Sequence, residues 1–363
     1  MRRIALPFLR QREMLLWHKP EACEFADIAY LTGFRGTTAW AAATPRGVWL
    51  FVDARYHERA RNEAHEGVRV VEVPAGAKPL EAVAHFARAK RARSALVDPS
   101  IPALVFRSLR RKLRASGITT RLARKPLLRE ARSRKRPEEI AALERAQALT
   151  QAAIEAALAS LAPGKTTERE LALELEWQGR RRGAERAAFP PIVAFGPNSA
   201  LPHATARDAR VAQRGALLID AGFVLDGYCG DCTRTFWIGG KPEQMFLAAY
   251  NTVFRAYEAA RRAATFARSA EARAIDAAAR QVIDASIFRG AFLHSTGHGV
   301  GLEIHESPFL SRWSDEVLGG GEVVTIEPGI YLSGKFGVRL EDMVVAGEGR
   351  VLGSEVPREV MCR

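Results

Sequence analysis

Two aspartates interrupt apolar segments that a short turn joins. Asp220 lies in the apolar run 216–223, and Asp231 follows the dipeptide Asp226-Gly227, which is typical of a β-hairpin turn. If Leu225 and Asp226 form the loop, the register places Asp220 directly opposite Asp231. Cβ atoms in such a pair are ~4.5–5.5 Å apart, and like charges there are destabilising. The pattern predicts either a cation between the two carboxylates or a register slip that turns one of them to solvent.

Two glutamates interrupt a second pair of apolar runs. Glu327 follows the run 323–326, and Glu341 precedes the run 343–345. Folding the chain about Gly334 pairs Glu327 with Glu341, so we expect both to be buried. Burying an isolated carboxylate is costly unless it is paired, protonated or bound to a metal ion. Arg339 is the alternative partner, which would neutralise one of them without a metal.

Histidines cluster between these two hairpins. His294, His298 and His305 are three of the eight histidines of the chain, and glycines flank His298 on both sides. Glycine allows close backbone approach or an unusual conformation. Four carboxylates and one imidazole form a hard, oxygen-rich set that suits Mn²⁺ and related ions and exceeds the needs of one tetrahedral zinc. Two ions ~3.5–4 Å apart would use all five candidate ligands. These ligands are Asp220, Asp231, His298, Glu327 and Glu341.

Two domains of different character must position these side chains. Residues 1–128 alternate short apolar runs at 47–52, 68–73 and 94–97 with helical patterns, which predicts an α/β domain. The segment 129–137 is strongly basic and is predicted to be a linker. Residues 138–363 begin with a long amphipathic helix, followed by a capping box at Thr167-x-x-Glu170 and by alternating helices and strand-rich segments, which predicts an α+β domain.

Composition and charge limit the classes of partner. Of 363 residues, 47% are hydrophobic and 26% charged, which is typical of globular proteins. The net charge of +13 would suit nucleic acid, but the basic residues are mostly arginines dispersed on helical stretches, so we expect no specific nucleic-acid binding. No apolar run reaches the ~18 residues of a membrane span. The apolar stretch 4–9 lacks the features of a signal peptide, so we expect a cytoplasmic protein without a membrane partner.

The motifs carrying these residues resemble the pita-bread metallopeptidases, the family of methionine aminopeptidase, aminopeptidase P and prolidase. The matching motifs are Ile-Asp-Ala-Gly, Gly-Asp-Cys-Thr-Arg-Thr-Phe, Gly-His-Gly-Val-Gly, Ile-Glu-Pro-Gly-Ile-Tyr and Val-Arg-Leu-Glu-Asp, in this order. The segments 30–34 and 52–56 are similar to the creatinase-type N-terminal domain, which methionine aminopeptidases lack. The resemblance therefore implies a creatinase-like N-terminal domain, a pita-bread catalytic domain and the proline-specific branch. It also implies two divalent ions per chain, with manganese expected and cobalt or zinc as alternatives.

The resemblance extends to individual residues. It implies that the five candidate ligands hold the metals, with Asp231 and Glu341 bridging, and that Glu327 also handles a proton. His203 matches the family's first catalytic histidine, and His294 and His305 match the histidine behind the ligands and the one that faces the substrate. We count all three as catalytic, and His203 and His305 also as substrate-binding. Arg339 matches the arginine that braces a ligand aspartate, and we also count it among the residues of the substrate site. Phe189 departs from the pattern, because some aminopeptidases P carry a tyrosine there.

Cys229 and Cys232 form a C-x-x-C around the candidate ligand Asp231. A redox motif of this type belongs near a βαβ unit, so we expect no redox function.

The resemblance leaves the substrate open. A prolidase, cleaving Xaa-Pro dipeptides, is the preferred interpretation, and aminopeptidase P, acting on longer peptides, is the alternative. For a dipeptide, Arg312 is the candidate clamp of the free carboxylate, although a solvated loop arginine is an equally good interpretation. A creatinase-like, metal-free hydrolase and a non-catalytic pita-bread binding protein are further alternatives that the intact ligand set opposes. We also expect a homodimer.

Overall fold

Contacts divide the chain into two compact units. The computed structural model describes residues 12–20 and 26–363, and the units are Met1–Arg132 and Ser133–Arg363. The division falls inside the segment 129–137. The apolar stretch 4–9 and Cys23 lie outside the described residues.

A mixed sheet of six strands, counted over the described residues, forms the centre of the first unit. The strands are β1 (Glu13–Lys19), β2 (Ala39–Thr44), β3 (Gly47–Asp53), β4 (Val68–Val73), β5 (Ser94–Val97) and β6 (Thr119–Leu122). The helices are α1 (Asp27–Thr32), α2 (His57–Glu63), α3 (Pro79–Ala89), α4 (Ala103–Ala115) and α5 (Arg129–Ser133). The order is β4-β3-β2-β1-β5-β6, with β2 antiparallel to both neighbours and the other pairs parallel. This arrangement confirms the predicted α/β domain.

Successive side chains of β1 enter two different cores. Met14 and Leu16 pack in one apolar cluster, and Leu15 and Trp17 pack in another. All four are buried, so the strand is covered on both faces and has a continuous apolar run instead of alternation. The alanine-rich strand β2 is not predicted from the sequence, because alanine has a low strand propensity. Pairing with β1 and β3 on its two sides forms it.

The second unit packs helices against several short sheets. Its helices are α6 (Pro137–Ala159), α7 (Glu168–Arg181), α8 (Gln244–Ala263) and α9 (Ala272–Asp284), with a 3₁₀ helix over Gly196–Ala200. The Thr167 hydroxyl accepts from Glu170 N–H while the Glu170 carboxylate accepts from Thr167 N–H, which confirms the predicted capping box at the start of α7. Within the described residues, no helix has both the length and the apolar character needed to cross a membrane.

The strands of the second unit are short, and two sheets carry the candidate ligands. The strands are β7 (Arg186–Ala187), β8 (Ile192–Phe195), β9 (Gly215–Ala221), β10 (Phe223–Leu225), β11 (Tyr228–Cys229), β12 (Cys232–Ile238), β13 (Ala270–Glu271), β14 (Gly297–Gly299), β15 (Glu306–Leu310), β16 (Val317–Leu318), β17 (Val323–Ile326), β18 (Gly329–Leu332), β19 (Phe336–Arg339), β20 (Asp342–Val345), β21 (Arg350–Val351) and β22 (Met361–Cys362). The two sheets have the orders β22-β12-β9-β8 and β15-β14-β17-β20-β21. Helices α6 and α7 pack against β9 and β12, and α8 and α9 pack against β17 to β19.

The first hairpin has a different register from the predicted one. Asp226 and Gly227 have φ angles of 52° and 80°, so they form the turn themselves, as a type I′ turn requires. Asp220 consequently pairs with Thr233, and the predicted pairing with Asp231 is wrong by two residues. A shift of two residues keeps each side chain on its face, so Asp231 lies diagonal to Asp220 and not on the opposite side. The predicted continuous strand 228–238 is interrupted at Gly230 and Asp231.

The second hairpin has the predicted register. Ile326 pairs with Asp342 and Gly329 pairs with Arg339, so the same alignment holds on both sides of Glu327 and Glu341. The ladder opens between these pairs, which leaves the two glutamates facing each other in the gap. Glu341 is buried, while the Glu327 side chain is 16% exposed.

The basic segment 129–137 is more ordered than a linker. Its first residues form α5, and its last residue begins α6. Lys135 is buried and its ammonium lies 3.4 Å from the carboxylate of Glu306, while the Arg136 guanidinium pairs with Glu139 at 2.7 Å. The positive charges of the segment therefore have specific carboxylate partners, which an unstructured linker would not provide.

Candidate metal centre

Three carboxylates converge in the second unit. Asp220, Asp231 and Glu341 each offer an oxygen atom, and these atoms lie within 4.8 Å of one another. The three residues are only 8%, 4% and 2% exposed. Asp220 lies near the end of β9, Asp231 in the break between β11 and β12, and Glu341 in the gap between β19 and β20. The two interrupted hairpins thus bring their carboxylates to one place.

Helix α6 fixes the break that carries Asp231. The side-chain amide of Gln147 donates to Asp231 C=O at 2.8 Å and accepts from Asp231 N–H at 2.9 Å. Gly230 allows this approach, because a Cβ at this position would lie 2.6 Å from the backbone oxygen of Ala146. A buried helix side chain therefore takes the place of the missing strand partner.

Burial of like charges changes the protonation of the cluster. Burial raises the pKa of Asp231 well above its usual value, and the nearby charge of Glu341 raises it further. Burial and the Glu327 charge likewise raise the pKa of Glu341. Burial raises the pKa of Glu327 to about 8, against the opposing effect of Arg339. A cation among these groups would oppose each shift, because its charge stabilises the ionised carboxylates.

His298 presents an acceptor nitrogen to two of the carboxylates. Its Nδ1–H donates to Gly299 C=O at 3.1 Å, so the neutral ring carries its lone pair on Nε2. Burial lowers the pKa of His298 to about 3. Nε2 lies 3.7 Å from Asp231 and 3.4 Å from Glu327. A lone pair facing ionised carboxylates is repulsive unless a proton or a cation lies between them. A backbone carbonyl holding Nδ1 is the arrangement of a metal-binding histidine.

One oxygen of Asp220 also indicates a metal site. Asp220 Oδ1 is buried and makes no hydrogen bond, while Oδ2 accepts from Arg339. A buried polar atom without a partner is costly. Taken with the carboxylate cluster and His298 Nε2, this oxygen makes a donor set that fits divalent cations.

Arg339 braces the cluster from behind. Its guanidinium donates to Asp220, to Thr233 Oγ1 at 3.1 Å and to the Tyr331 hydroxyl at 2.7 Å. Thr233 in turn donates to Glu341 at 2.6 Å. Arg339 is only 3% exposed. It therefore supports the ligand side chains from behind and is not open to substrate, in contrast to its predicted place in the substrate site.

His294 is held in one neutral form. The Tyr331 hydroxyl accepts from Arg339, so it donates its own proton to His294 Nε2 at 2.7 Å. Nδ1–H of His294 donates to Ser295 C=O at 2.8 Å. Burial, with help from the Arg339 charge, lowers the pKa of His294 to about 3. Both ring nitrogens are therefore occupied within the chain.

His203 and His305 are the exposed histidines of the group. The His305 ring centroid lies 4.4 Å from that of His298, and burial and the His203 charge lower the pKa of His305. The charge of His203 also acts on His294. His305 therefore lies beside His298, and His203 is near enough to His294 and His305 to act on both electrostatically.

Sequence reasoning missed several residues that shape this site. Phe309 pairs with His298 across β14 and β15, so its side chain lies on the same face of the sheet and is 43% exposed. Gln147 and Tyr331 were also missed, although the tyrosine belongs to the motif around Glu327. Arg312 is exposed, with its guanidinium 5.9 Å from the Trp313 ring centroid. Phe189 packs next to Gly222, at the end of β9.

The two cysteines around Asp231 have no redox surroundings. Cys229 and Cys232 are buried thiols, and burial raises the pKa of Cys232. A thiol in this state is unreactive.

Two family models match the chain. One, described as metallopeptidase family M24, matches residues 141–348, and the other, described as the creatinase/prolidase N-terminal domain, matches residues 13–134. The chain belongs to metallopeptidase family M24. The M24 match contains all five candidate ligands, and the two matches confirm the predicted creatinase-like domain and pita-bread catalytic domain. The predicted enzyme class, a metal-dependent peptidase, is confirmed as well.

Relatives and solved structures of the M24 family cover most of the chain. A Pyrococcus furiosus protein named Xaa-Pro dipeptidase is 39% identical over 61% of this chain and 63% of its own length. The structure of an X-Pro aminopeptidase from Thermotoga maritima has a TM-score of 0.86 at 30% identity and covers 97% of both chains. The structure of an Xaa-Pro dipeptidase from Bacillus anthracis has a TM-score of 0.87 at 29% identity, covering 96% of this chain and 95% of that one.

Proposed function

We propose that this M24 peptidase hydrolyses the bond between an amino-acid residue and a following proline, with two divalent cations per chain. Asp220, Asp231, His298, Glu327 and Glu341 would hold the cations. The observation that carries the proposal is the buried set of converging carboxylates facing the lone pair of His298 Nε2. The names of the relatives support the choice of an Xaa-Pro bond.

The cations would supply Lewis acidity and lower the pKa of a bound water to near neutrality. Glu327, at the edge of this set, would accept a proton from the attacking water and release it later. His305 and His203, the exposed histidines, would donate hydrogen bonds to the substrate carbonyl as negative charge develops. His294 would hold Tyr331 and, through it, the orientation of Arg339.

The proposed mechanism is tested by turnover and metal content together. Purified protein should contain or take up about two divalent ions per chain and cleave Ala-Pro, and a chelator should abolish cleavage until metal is restored. We propose manganese, because oxygen ligands dominate the set, and restoration with manganese, cobalt or zinc compares the three. Full activity in chelator-treated, metal-free protein would exclude the mechanism.

We further propose that the preferred substrates are Xaa-Pro dipeptides, with Arg312 binding the free carboxylate of the proline. Arginine is suited to bidentate carboxylate binding, and Arg312 lies in an exposed turn directly after β15, the strand that carries Phe309. Arg312→Ala should raise KM for Ala-Pro much more than KM for a blocked Ala-Pro-amide, whereas Arg273→Ala, at another exposed arginine, should change neither. Faster cleavage of Ala-Pro-Ala than of Ala-Pro by the wild type would instead indicate an aminopeptidase P.

We also propose a cytoplasmic homodimer. The described cysteines Cys229, Cys232 and Cys362 are thiols, which suits a reducing compartment. Size-exclusion chromatography with light scattering should give about twice the chain mass of 39.9 kDa. A single-chain mass at micromolar concentration would exclude the dimer.

A further inference from the structure

A buried ion pair on helix α9 lies beside the segment that carries His294. Asp276 and Arg280 are four residues apart, and their side chains are 1% and 14% exposed. Arg280 Nε and one terminal nitrogen donate to the two carboxylate oxygens of Asp276 at 3.1 and 3.0 Å. An exposed pair at this spacing contributes little to stability, but this one is bidentate, with Asp276 buried and Arg280 largely covered.

The same pair also binds the backbone of residues 292–296. Arg280 donates to Phe292 C=O at 3.1 Å and to His294 C=O at 2.8 Å, and its guanidinium lies 4.3 Å from the Phe292 ring centroid. Asp276 accepts from Thr296 N–H at 3.1 Å and from the Thr296 hydroxyl at 2.9 Å. The segment lies between α9 and β14 and forms no strand or helix of its own. Its polar backbone groups need other partners. The ion pair supplies three of them, and Thr296 N–H is shared with Leu310 C=O, which lies 2.9 Å away.

The segment 292–296 contacts the proposed metal centre at two points. At one, the His294 ring reaches Tyr331, which receives a hydrogen bond from Arg339. At the other, Thr296 C=O accepts from Glu327 N–H at 2.8 Å. A displacement of the segment would therefore move both His294 and the backbone of Glu327.

We propose that Asp276 and Arg280 are positioning residues of the active centre, which fix the ring of His294 and the backbone of Glu327 from the adjacent helix. The inference rests on the proposed roles of His294 and Glu327. Arginine is required because its planar guanidinium offers several N–H donors in fixed directions. A lysine at 280 keeps the charge, but one nitrogen cannot bind Asp276 and both carbonyls in this geometry.

Two variants test the proposal with two measurements. Arg280→Lys and Asp276→Asn should lower kcat for Ala-Pro at least tenfold and leave KM within about threefold, because a small misplacement of reacting groups acts mainly on the chemical step. In ¹⁵N-histidine NMR spectra without substrate, wild-type His294 should show a single neutral Nδ1–H tautomer. Both variants should show a mixture of tautomers.

Arg273→Lys is the matched control, because Arg273 pairs with Glu271 at the exposed start of the same helix. It should change neither kcat nor the His294 spectrum. If His294 in the two variants keeps the wild-type tautomer, the proposal is overturned, whether or not kcat falls. A variant kcat within twofold of the wild-type value also overturns it. If the wild-type protein does not cleave Xaa-Pro substrates, the proposed function is refuted. The NMR measurement needs no turnover, so it still tests the positioning role.

Discussion

At Asp231, burial and neighbouring carboxylates favour the protonated side chain in metal-free protein. Asparagine imitates that neutral form and cannot act as an anionic ligand. Asp231→Asn should therefore leave the melting temperature of chelator-treated protein nearly unchanged. It should abolish the stabilisation by added metal, which is about 2.7 kcal/mol for the wild type at a metal concentration one hundred times Kd. Thermal unfolding with chelator and with Mn²⁺ measures both effects.

Asp226→Asn is the control for this prediction, because Asp226 lies in an exposed turn and asparagine tolerates its positive φ. The control should keep the full metal-dependent shift. A normal shift in Asp231→Asn would show that this residue does not bind the cation.

The raised pKa of Glu327 predicts proton release on metal binding. Its carboxyl keeps a proton below about pH 8 in metal-free protein, and a carboxylate ligand must lose that proton. Metal affinity should therefore rise with pH towards about 8, and Asp231 and Glu341, whose pKa values are also raised, should add to this rise. Since the folded pKa lies above the unfolded value of about 4.3, the same group makes metal-free protein less stable as pH rises between those values.

Isothermal titration calorimetry at pH 7 in two buffers of different ionisation enthalpy measures the released protons. Equal binding enthalpies in the two buffers would contradict the prediction, because they would mean that no proton is released.

At the scale of elements, helix α6 is part of the metal centre and not only a cover for the sheet. Gln147 binds both backbone groups of Asp231, and leaving a buried polar group without a partner costs about 1–3 kcal/mol. Gln147→Met has a similar size but no hydrogen bonds. It leaves two such groups without partners and should lower the free energy of unfolding by about 2–6 kcal/mol. It should also weaken metal binding, because the break carrying Asp231 loses its support.

Denaturant unfolding and metal titration test this variant. Gln178→Met on α7 is the matched control, since Gln178 is half-buried and bonds only within its own helix in the contacts described, and it should change stability by under about 0.5 kcal/mol. Unchanged metal affinity in Gln147→Met would mean that β9 and β12 hold Asp231 without the helix.

At the scale of the whole molecule, we expect the net charge of +13 to give no specific nucleic-acid binding, because the basic residues are dispersed. Several basic residues near the division between the two units are paired: Arg132 with Asp27, Lys135 with Glu306 and Arg136 with Glu139. Binding to a random DNA duplex should be weak and should vanish between about 50 and 200 mM salt, as expected of dispersed charge. Fluorescence anisotropy over that salt range measures it. A tight complex at physiological salt would favour a binding protein instead.

The sequence by itself determined which residues could hold the metals. A carboxylate within an apolar run is visible without a structure, because its burial is unfavourable unless something compensates for it. Gly334 and the apolar runs around Glu327 and Glu341 also predicted the second hairpin correctly, since its partners are near in sequence. The capping box at Thr167 is local in the same way.

Only the tertiary structure decided how these residues are held. The register of the first hairpin depends on the positive φ angles of Asp226 and Gly227, which form the turn. The predicted turn, Leu225 and Asp226, shifted every predicted pair by two residues. Gln147 is 84 residues from Asp231, and on the sequence it is an ordinary polar residue of an amphipathic helix. On the sequence, Arg280 and Asp276 likewise form an ordinary helical ion pair. Their contacts with the segment that carries His294 become visible only in the packed structure. Such roles arise when packing brings distant backbone groups within hydrogen-bonding distance, and no local pattern of residue types encodes that distance.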